Sequence, residues 1–185
     1  MIKQAIIPLA GLGTRMLPLT SVIPKELLPI NGRPNVEYIM DECIKAGIKE
    51  FIFIISKKKK NIKKYFFIYN FYKKIIKKKS DKRIIAEYKK IKKYQKMIKF
   101  VYQDMPKGTG DAVLKCQKYI RGKFFLMLLP DDLIIKKNCT KEMINLFLKK
   151  KTSIIATKTV NKNDVTRWGI LKVKNKKKNY FQITN

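Results

Sequence analysis

Short apolar runs alternate with amphipathic stretches along most of the chain. A continuous apolar run bounded by polar or glycine residues is typical of a strand that is buried on both faces of a parallel sheet. Runs of this kind predict strands at Ala5–Leu9, Phe51–Ile55, Phe100–Tyr102, Phe124–Leu129, Ser153–Ala156 and Gly169–Val173.

The stretches between the runs carry apolar residues at helical spacing. The clearest has apolar positions at i, i+3, i+4, i+7 and i+8, and Gly47 follows it as a natural stop. Its members are Val36, Ile39, Met40, Cys43 and Ile44. Shorter stripes predict further helices around Ile62–Tyr69, Ala112–Cys116 and Met143–Leu148. This alternation of strand and helix predicts a layered α/β domain with a mostly parallel central sheet.

The charge of the chain is extreme for one domain of 185 residues. Its 44 Lys and Arg against 13 Asp and Glu give a formal net charge of +31, which is typical of proteins that bind nucleic acid or an anionic membrane. We favour codon drift as the cause, because lysine, isoleucine, asparagine, tyrosine and phenylalanine all have AT-rich codons and are all prominent. This interpretation predicts no specific nucleic acid partner. It predicts tolerant, exposed lysines at Lys57–Lys60, Lys77–Lys79 and Lys176–Lys178.

The histidine and cysteine content limits the kinds of catalytic and metal site that the chain can form. The chain has no histidine, which excludes histidine triads, histidine metal sites and acid–base catalysis by histidine. The three cysteines, Cys43, Cys116 and Cys139, are widely spaced, so neither a disulfide framework nor a zinc site is expected. Cys43 and Cys116 fall on predicted helices and are expected to be small core hydrophobes.

The sequence does not predict insertion into a membrane or export. No apolar run is long enough to span a bilayer, and the N-terminus lacks the basic, apolar and small-residue sections of a signal peptide. We therefore expect a cytoplasmic protein without a membrane partner.

The loop after the first predicted strand, Leu9–Pro29, has the residues that hold a phosphate group. Gly11 and Gly13 let backbone N–H groups approach phosphate oxygens closely. Arg15 offers a planar fork of donors, and Lys25 adds a point charge. The spacing fits neither a P-loop, which needs Gly-Lys-Ser/Thr, nor a Rossmann loop, because position 16 is Met. The sequence therefore predicts a phosphate loop of another type.

Other candidate groups follow the ends of later strands, where ligands bind in open α/β sheets. Gln103 can read the edge of a base because its amide donates and accepts, although an ordinary surface glutamine is the alternative. Asp131 and Asp132 fit a Mg²⁺ site, since Mg²⁺ takes one or two carboxylates together with phosphate oxygens. A solvated turn is the alternative for this pair, because Pro-Asp-Asp is good turn chemistry.

Two motifs in the loop identify a resemblance. Ala10–Pro18, with the sequence Ala-Gly-Leu-Gly-Thr-Arg-Met-Leu-Pro, and Pro24–Pro29, with the sequence Pro-Lys-Glu-Leu-Leu-Pro, resemble the bacterial UTP–glucose-1-phosphate uridylyltransferases. Related thymidylyltransferases usually carry Gly-Gly where this chain has Ala10-Gly11, which favours UTP over dTTP. The resemblance is weakest across residues 57–99 and continues through Asn35–Gly47, Gln103–Leu114, Leu129–Asp131 and Trp168-Gly169.

The resemblance implies a Rossmann-like, GT-A-like nucleotidyltransferase fold. It implies a Mg²⁺-assisted reaction in which UTP and glucose 1-phosphate give UDP-glucose and pyrophosphate. Residues 1–185 would be the N-terminal portion of this domain, with a lysine-rich helical segment at residues 57–99. A homo-oligomer is compatible with the resemblance.

The resemblance also implies roles for individual residues. Arg15 would stabilise the departing pyrophosphate, Lys25 would bind phosphate near the reacting centre, and Asp131 would coordinate Mg²⁺. Gly169 would line the sugar pocket. The uracil and the ribose would be held by Leu9, Ala10, Gly11, Glu26, Gln103 and Gly108.

Departures from the family pattern leave the activity open. Family members continue beyond Asn185 with a Glu-Lys-Pro motif that grips the sugar phosphate and with a second metal-binding aspartate. Trp168 stands where tyrosine is usual, and Asp111 stands where histidine is common. We therefore keep two alternatives to an active enzyme. One is an inactive UTP-binding remnant, and the other is a basic protein that binds nucleic acid.

Overall fold

The computed structural model describes residues 2–67, 70–78, 81–134, 136–175 and 180–184, with only the backbone of residues 70–72. The chain forms two compact units, Met1–Thr152 and Ser153–Asn185. The strands are β1 (Gln4–Pro8), β2 (Pro29–Ile30), β3 (Arg33–Pro34), β4 (Glu50–Ile55), β5 (Ile98–Tyr102), β6 (Leu126–Met127), β7 (Lys172–Lys174) and β8 (Gln182–Thr184). The α-helices are α1 (Asn35–Lys45), α2 (Lys60–Phe66), α3 (Asn70–Lys78), α4 (Lys82–Gln95), α5 (Gly108–Lys115) and α6 (Cys139–Lys150).

A parallel sheet organises the first unit, with the strand order β5-β4-β1-β6. β1 lies between two partners, since Ile6 is in register with Ile52 of β4 and with Met127 of β6. The chain moves outward from β1 to β4 and β5, and then crosses to the other side of β1 for β6. The predicted α/β fold with a parallel central sheet is thereby confirmed. The order of the strands reverses at β1, which is the point where open α/β sheets bind ligands.

Alternate residues of the central strands face two separate hydrophobic clusters, as the pleat of a strand requires. On one face, Phe51 and Phe53 pack in the cluster that includes Met40 of α1 and Tyr94 of α4. On the other face, Ile52 and Ile54 pack with Ala112 of α5 and with Cys116, the residue that follows this helix. Burial on both faces explains why these strands appear as uninterrupted apolar runs.

Two of the cysteines are small core residues, as predicted. Cys43 and Cys116 are buried in the two clusters, and Cys43, Cys116 and Cys139 are all free thiols. Burial, with a smaller contribution from the charge of Glu42, raises the pKa of the Cys43 thiol to about 12. Burial also raises the pKa of Cys116 to about 11. Both thiols are therefore neutral, unreactive core groups at physiological pH.

The fourth predicted strand is shorter than expected. The run Phe124–Leu129 contributes only β6, whose two residues pair with Ala5 and Ile6. In the described part of the chain β6 stands at the end of the sheet, where β1 alone flanks it. Phe124 is consequently 55% exposed, whereas Leu126 is buried.

The two strands predicted in the second unit are corrected. Ser153–Ala156 is not a strand, and Ile155 is exposed. No described strand pairs with this stretch, and strand propensity is expressed only where a ladder partner is available. The run Gly169–Val173 becomes β7, which starts at Lys172 and pairs antiparallel with β8.

Three helices, α2, α3 and α4, occupy most of the lysine-rich residues 57–99. Parts of three predictions lie outside the described residues. They are Tyr69 of the predicted helical stripe, Lys79 of the second lysine run, and the whole run Lys176–Lys178. One expectation here is wrong: Lys59 is buried, although its neighbours Lys57, Lys58 and Lys60 are exposed. Among the described residues, no helix has the length and the hydropathy that crossing a membrane needs.

A buried carboxylate attaches this segment to the rest of the unit. Glu37 of α1 is 1% exposed and accepts hydrogen bonds from Arg33, from Lys90 of α4 at 2.6 Å and from the hydroxyl of Tyr65 of α2. One acidic side chain thus accepts hydrogen bonds from residues of β3, α2 and α4. A buried charge of this kind is tolerated only because it is paired and fully hydrogen-bonded.

We expect that Glu37→Ala lowers the free energy of unfolding by about 3–5 kcal/mol, because it leaves two cations without their buried partner. Glu87→Ala is the matched control, since Glu87 also pairs with Lys90, at 3.4 Å, but is 53% exposed at its side chain. The control should cost at most about 1 kcal/mol. Urea denaturation of both variants tests this, and equal unfolding midpoints would contradict it.

Asp41 should make the stability depend on pH. Burial alone would raise the pKa of its carboxyl, but the Tyr94 hydroxyl, Arg33 and Lys90 outweigh burial and lower the pKa below its ordinary value of 3.8. The ionised carboxylate therefore stabilises the fold above that value, and the contribution is lost as pH falls through the lowered pKa. We expect Asp41→Asn to be destabilised most near neutral pH and to approach the parent chain in acid. Urea midpoints measured across this pH range decide the point, and a constant difference would count against it.

Candidate functional site

The predicted site residues of the first unit gather at the carboxyl ends of the parallel strands. Leu9, Ala10 and Gly11 follow β1, Gln103 follows β5, and Asp131 lies in the loop after β6. This edge includes the point between β1 and β6 where the strand order reverses, and it is the expected position for a ligand.

The glycine loop starts from a rigid base. Leu9 is buried, and its N–H donates to the carbonyl of Ile54 at 2.7 Å, so the β1–β4 ladder continues beyond β1. Ala10 is also buried, and the chain becomes exposed at Gly11. The backbone that would face a ligand is therefore held by the sheet on its inner side.

The two glycines of the loop serve different purposes. Gly13 has φ +71°, and a Cβ there would approach the Thr20 methyl group at 3.2 Å. Thr20 also donates its hydroxyl to the Gly13 carbonyl at 2.8 Å, so this glycine shapes the loop. At Gly11 the φ angle is not left-handed, and a Cβ would meet nothing within 4 Å. The protein itself does not require glycine at position 11, but a ligand that approaches the backbone closely would.

An ion pair joins the loops that follow β1 and β6. The Lys25 Nζ lies 2.9 Å from Asp131 Oδ2, and the two side chains are 22% and 58% exposed. Partial burial by itself would raise the pKa of the Asp131 carboxyl, but Lys25, with a smaller contribution from Arg15, lowers it on balance. Asp131 is therefore ionised at neutral pH, and both cations predicted for phosphate binding act on it.

Asp131 suits Mg²⁺ as one ligand among several. The described residues contain no group of three or more His, Cys, Asp or Glu side chains that could hold a metal ion by themselves. Mg²⁺ is ordinarily bound by one or two carboxylates, with phosphate oxygens and water completing the octahedron. The exposed pair Asp131 and Asp132 fits this arrangement, in which a phosphate-bearing ligand would supply further oxygens.

Glu26 is held by a residue that the sequence did not single out. Both of its carboxylate oxygens accept from Lys59 Nζ at 2.8 Å, and both side chains are buried. Lys59 lies in the run Lys57–Lys60, and hydropathy predicts solvent exposure for every lysine of that run. No signal in the sequence links it to a carboxylate in a distant loop.

Gln103 is buried rather than an ordinary surface residue. Its backbone N–H donates to Ile55 at 2.9 Å, and its side-chain nitrogen donates to the Gly108 carbonyl and to Asp111 at 3.1 and 2.6 Å. Gly108 has φ +89° and begins α5. The end of β5 is thus tied to the start of α5, and Asp111 accepts one of the bonds that fix the amide.

Gly169 belongs to the second unit and is exposed there. It follows Trp168, whose ring lies 4.6 Å from Lys158 Nζ. The other predicted site residues, Arg15 and Lys25 among them, belong to the first unit.

Comparisons with known proteins agree along the whole chain. The family model described as Nucleotidyl transferase matches residues 4–184, which includes both units. The UTP–glucose-1-phosphate uridylyltransferase of Bacillus subtilis is 31% identical over 185 residues, which is 100% of this chain and 63% of that protein.

Solved structures give the same answer. A UTP-bound UGPase from Acinetobacter baumannii has a TM-score of 0.89 and 30% identity, covering 100% of this chain and 67% of that one. A UDP-glucose pyrophosphorylase complexed with UDP-glucose has a TM-score of 0.83 and 29% identity, covering 99% of this chain and 67% of that one. The chain thus spans about two thirds of the length of such relatives. The resemblance found in the sequence is confirmed, and the chain belongs to the nucleotidyl transferase family.

Proposed function

We propose that the chain binds UTP at the carboxyl edge of its sheet and transfers the uridylyl group to glucose 1-phosphate. The observation that carries this proposal is the Lys25–Asp131 ion pair, which places a cation and a candidate metal ligand 2.9 Å apart beside the glycine loop. The names of the relatives, which include a UTP-bound protein and one complexed with UDP-glucose, support the choice of substrates.

The proposed reaction is an in-line displacement. A phosphate oxygen of glucose 1-phosphate forms a bond to the α-phosphorus of UTP, and the bond from this phosphorus to the bridging oxygen of pyrophosphate breaks. A phosphate monoester has a second pKa of about 6, so the nucleophile is already largely dianionic at neutral pH. The reaction needs no general base, which is consistent with a chain that has no histidine.

The protein's contribution is positioning and charge neutralisation. Arg15 would stabilise the departing pyrophosphate, and Lys25 would exchange part of its contact with Asp131 for a phosphate oxygen. Asp131 and Asp132 would hold Mg²⁺, which when bound neutralises charge on the phosphate oxygens.

The remaining roles stay predictions. Gln103 and Gly108, with the backbone of Leu9, Ala10 and Gly11, are proposed to hold the uracil and the ribose. Glu26, which is 0% exposed and paired with Lys59, is proposed to support this site without touching the nucleotide. Gly169 is proposed to line the sugar pocket. The cytoplasmic location, the homo-oligomer, the lack of a specific nucleic acid partner and the assignment of residues 1–185 to one domain also remain predictions.

We expect Mg²⁺-dependent release of pyrophosphate when UTP and glucose 1-phosphate are supplied together. Arg15→Ala, Lys25→Ala and Asp131→Asn should each lower the rate on the order of a hundredfold, because each removes a charge that the transition state uses. Lys149→Ala, at the exposed end of α6, is the control for the loss of one positive charge and should leave the rate unchanged.

Other results would favour the alternatives. UTP-dependent thermal stabilisation without pyrophosphate release would support a nucleotide-binding protein without turnover. RNA affinity that persists in the Arg15→Ala/Lys25→Ala variant would support a nucleic acid partner. A chain that neither binds UTP nor releases pyrophosphate would exclude the proposed function.

The glycines allow binding to be separated from folding. We expect the free energy of unfolding of Gly11→Ala to lie within about 0.5 kcal/mol of that of the parent chain, since the added methyl group meets open space. The same variant should nevertheless lose most of its UTP affinity. Gly13→Ala should instead lose about 1–2 kcal/mol of stability, because its φ is left-handed. Thermal unfolding with and without UTP measures both effects. Parallel losses of stability and affinity in both variants would contradict this division.

A further inference from the structure

A second, buried ion pair adjoins the candidate site, because Glu26 directly follows Lys25 in the same 3₁₀ turn. Glu26 is 0% exposed and Lys59 is 8% exposed. Both Glu26 oxygens accept from Lys59 Nζ at 2.8 Å. Neither proposed catalysis nor metal binding uses this pair, and Lys59 is buried although its neighbours Lys57, Lys58 and Lys60 are exposed.

The pair joins two loops that leave adjacent strands. Lys59 ends the 3₁₀ turn Lys57–Lys59 after β4, and its N–H donates to the Ser56 carbonyl at 3.0 Å. Glu26 lies in the 3₁₀ turn Lys25–Leu27, in the chain that follows β1. The residue before Glu26 is Lys25, which reaches across to Asp131 after β6. Two ion pairs in series therefore connect the loops after β4, β1 and β6.

Stability alone does not account for a buried pair. Removing two charges from water costs about as much as their attraction returns, and well-packed apolar residues often replace such pairs without loss. Burial lowers the pKa of Lys59 and the charge of Glu26 opposes this, while Lys25 lowers it further and Asp131 raises it. The charges of Lys25 and Asp131 therefore also act on Lys59, although its direct partner is Glu26.

We propose that Lys59 is a positioning residue: through Glu26 it holds the turn that carries Lys25 in the orientation that the triphosphate requires. The inference rests on the proposed function and adds a residue to its site. The Glu26 carboxylate has no exposed surface and both of its oxygens accept from Lys59, so its contribution to UTP binding passes through Lys25.

The test is the UTP affinity of the full chain, measured by titration calorimetry. Lys59→Met keeps the length of the side chain without its charge, and it should weaken UTP binding about tenfold or more, as expected when a charge-assisted contact to phosphate is lost. Lys58→Met is the matched control, because Lys58 is the exposed neighbour in the same turn, and its affinity should match that of the parent chain. Lys59→Arg, which can still pair with Glu26, should recover part of the affinity.

A double-mutant cycle separates positioning from a general loosening of the fold. In a Lys25→Ala background, Lys59→Met should cause no further loss of UTP affinity, because the residue through which it acts is gone. If Lys59→Met leaves Glu26 too costly to bury and the chain does not fold, Glu26→Gln/Lys59→Met removes both charges and is measured in its place.

The outcomes are distinct. If the parent chain binds UTP and folded Lys59→Met binds it equally well, the inference is wrong and the proposed function stands. An equal loss of affinity from Lys59→Met with and without Lys25 also overturns it, since the effect then does not pass through Lys25. If the parent chain binds no UTP, the proposed function fails and the inference fails with it.

Discussion

The pairing of β1 with parallel strands on both sides is the constraint on which the rest of the structure depends. It fixes β4 on one side and β6 on the other, so the loops that follow these three strands open at the same edge of the sheet. The continued ladder from Leu9 to Ile54 holds the base of the glycine loop at that edge. The chemistry of the site therefore follows from the strand order, and the loops need only supply charge.

The charges at this edge are organised by depth. Glu26 and Lys59 form the buried pair, and Lys25 and Asp131 form a more exposed pair. The attraction between two charges is strong in a buried, low-dielectric position, so a buried pair stays together. The attraction within an exposed pair is weak enough for one member to bind a ligand instead. This difference in burial suits the proposed function, in which the site would be shaped before an anion arrives and would then release its product.

The sequence predicted those parts of the fold that burial on both faces imposes. β1 and β4 appear as apolar runs because alternate residues enter opposite clusters. Ser153–Ala156 has the same apolar character but no described partner strand, and hydropathy does not report partners. Gly11, Arg15 and Lys25 could be chosen as candidate residues from the sequence because the chemistry that marks them is local. Lys59 was not predictable, because its partner Glu26 is distant in the chain.

The excess of lysine thus has two components with different physical origins. Lysines such as Lys57, Lys58 and Lys60 are exposed, and solvent tolerates them wherever composition places them. Lys59 and Lys90 are different, because each donates to a carboxylate that is almost completely buried. A drifting composition does not select such positions, since an unpaired Glu26 or Glu37 would carry a large desolvation penalty. The informative lysines of this chain are therefore identified by the burial of their partners and not by their abundance.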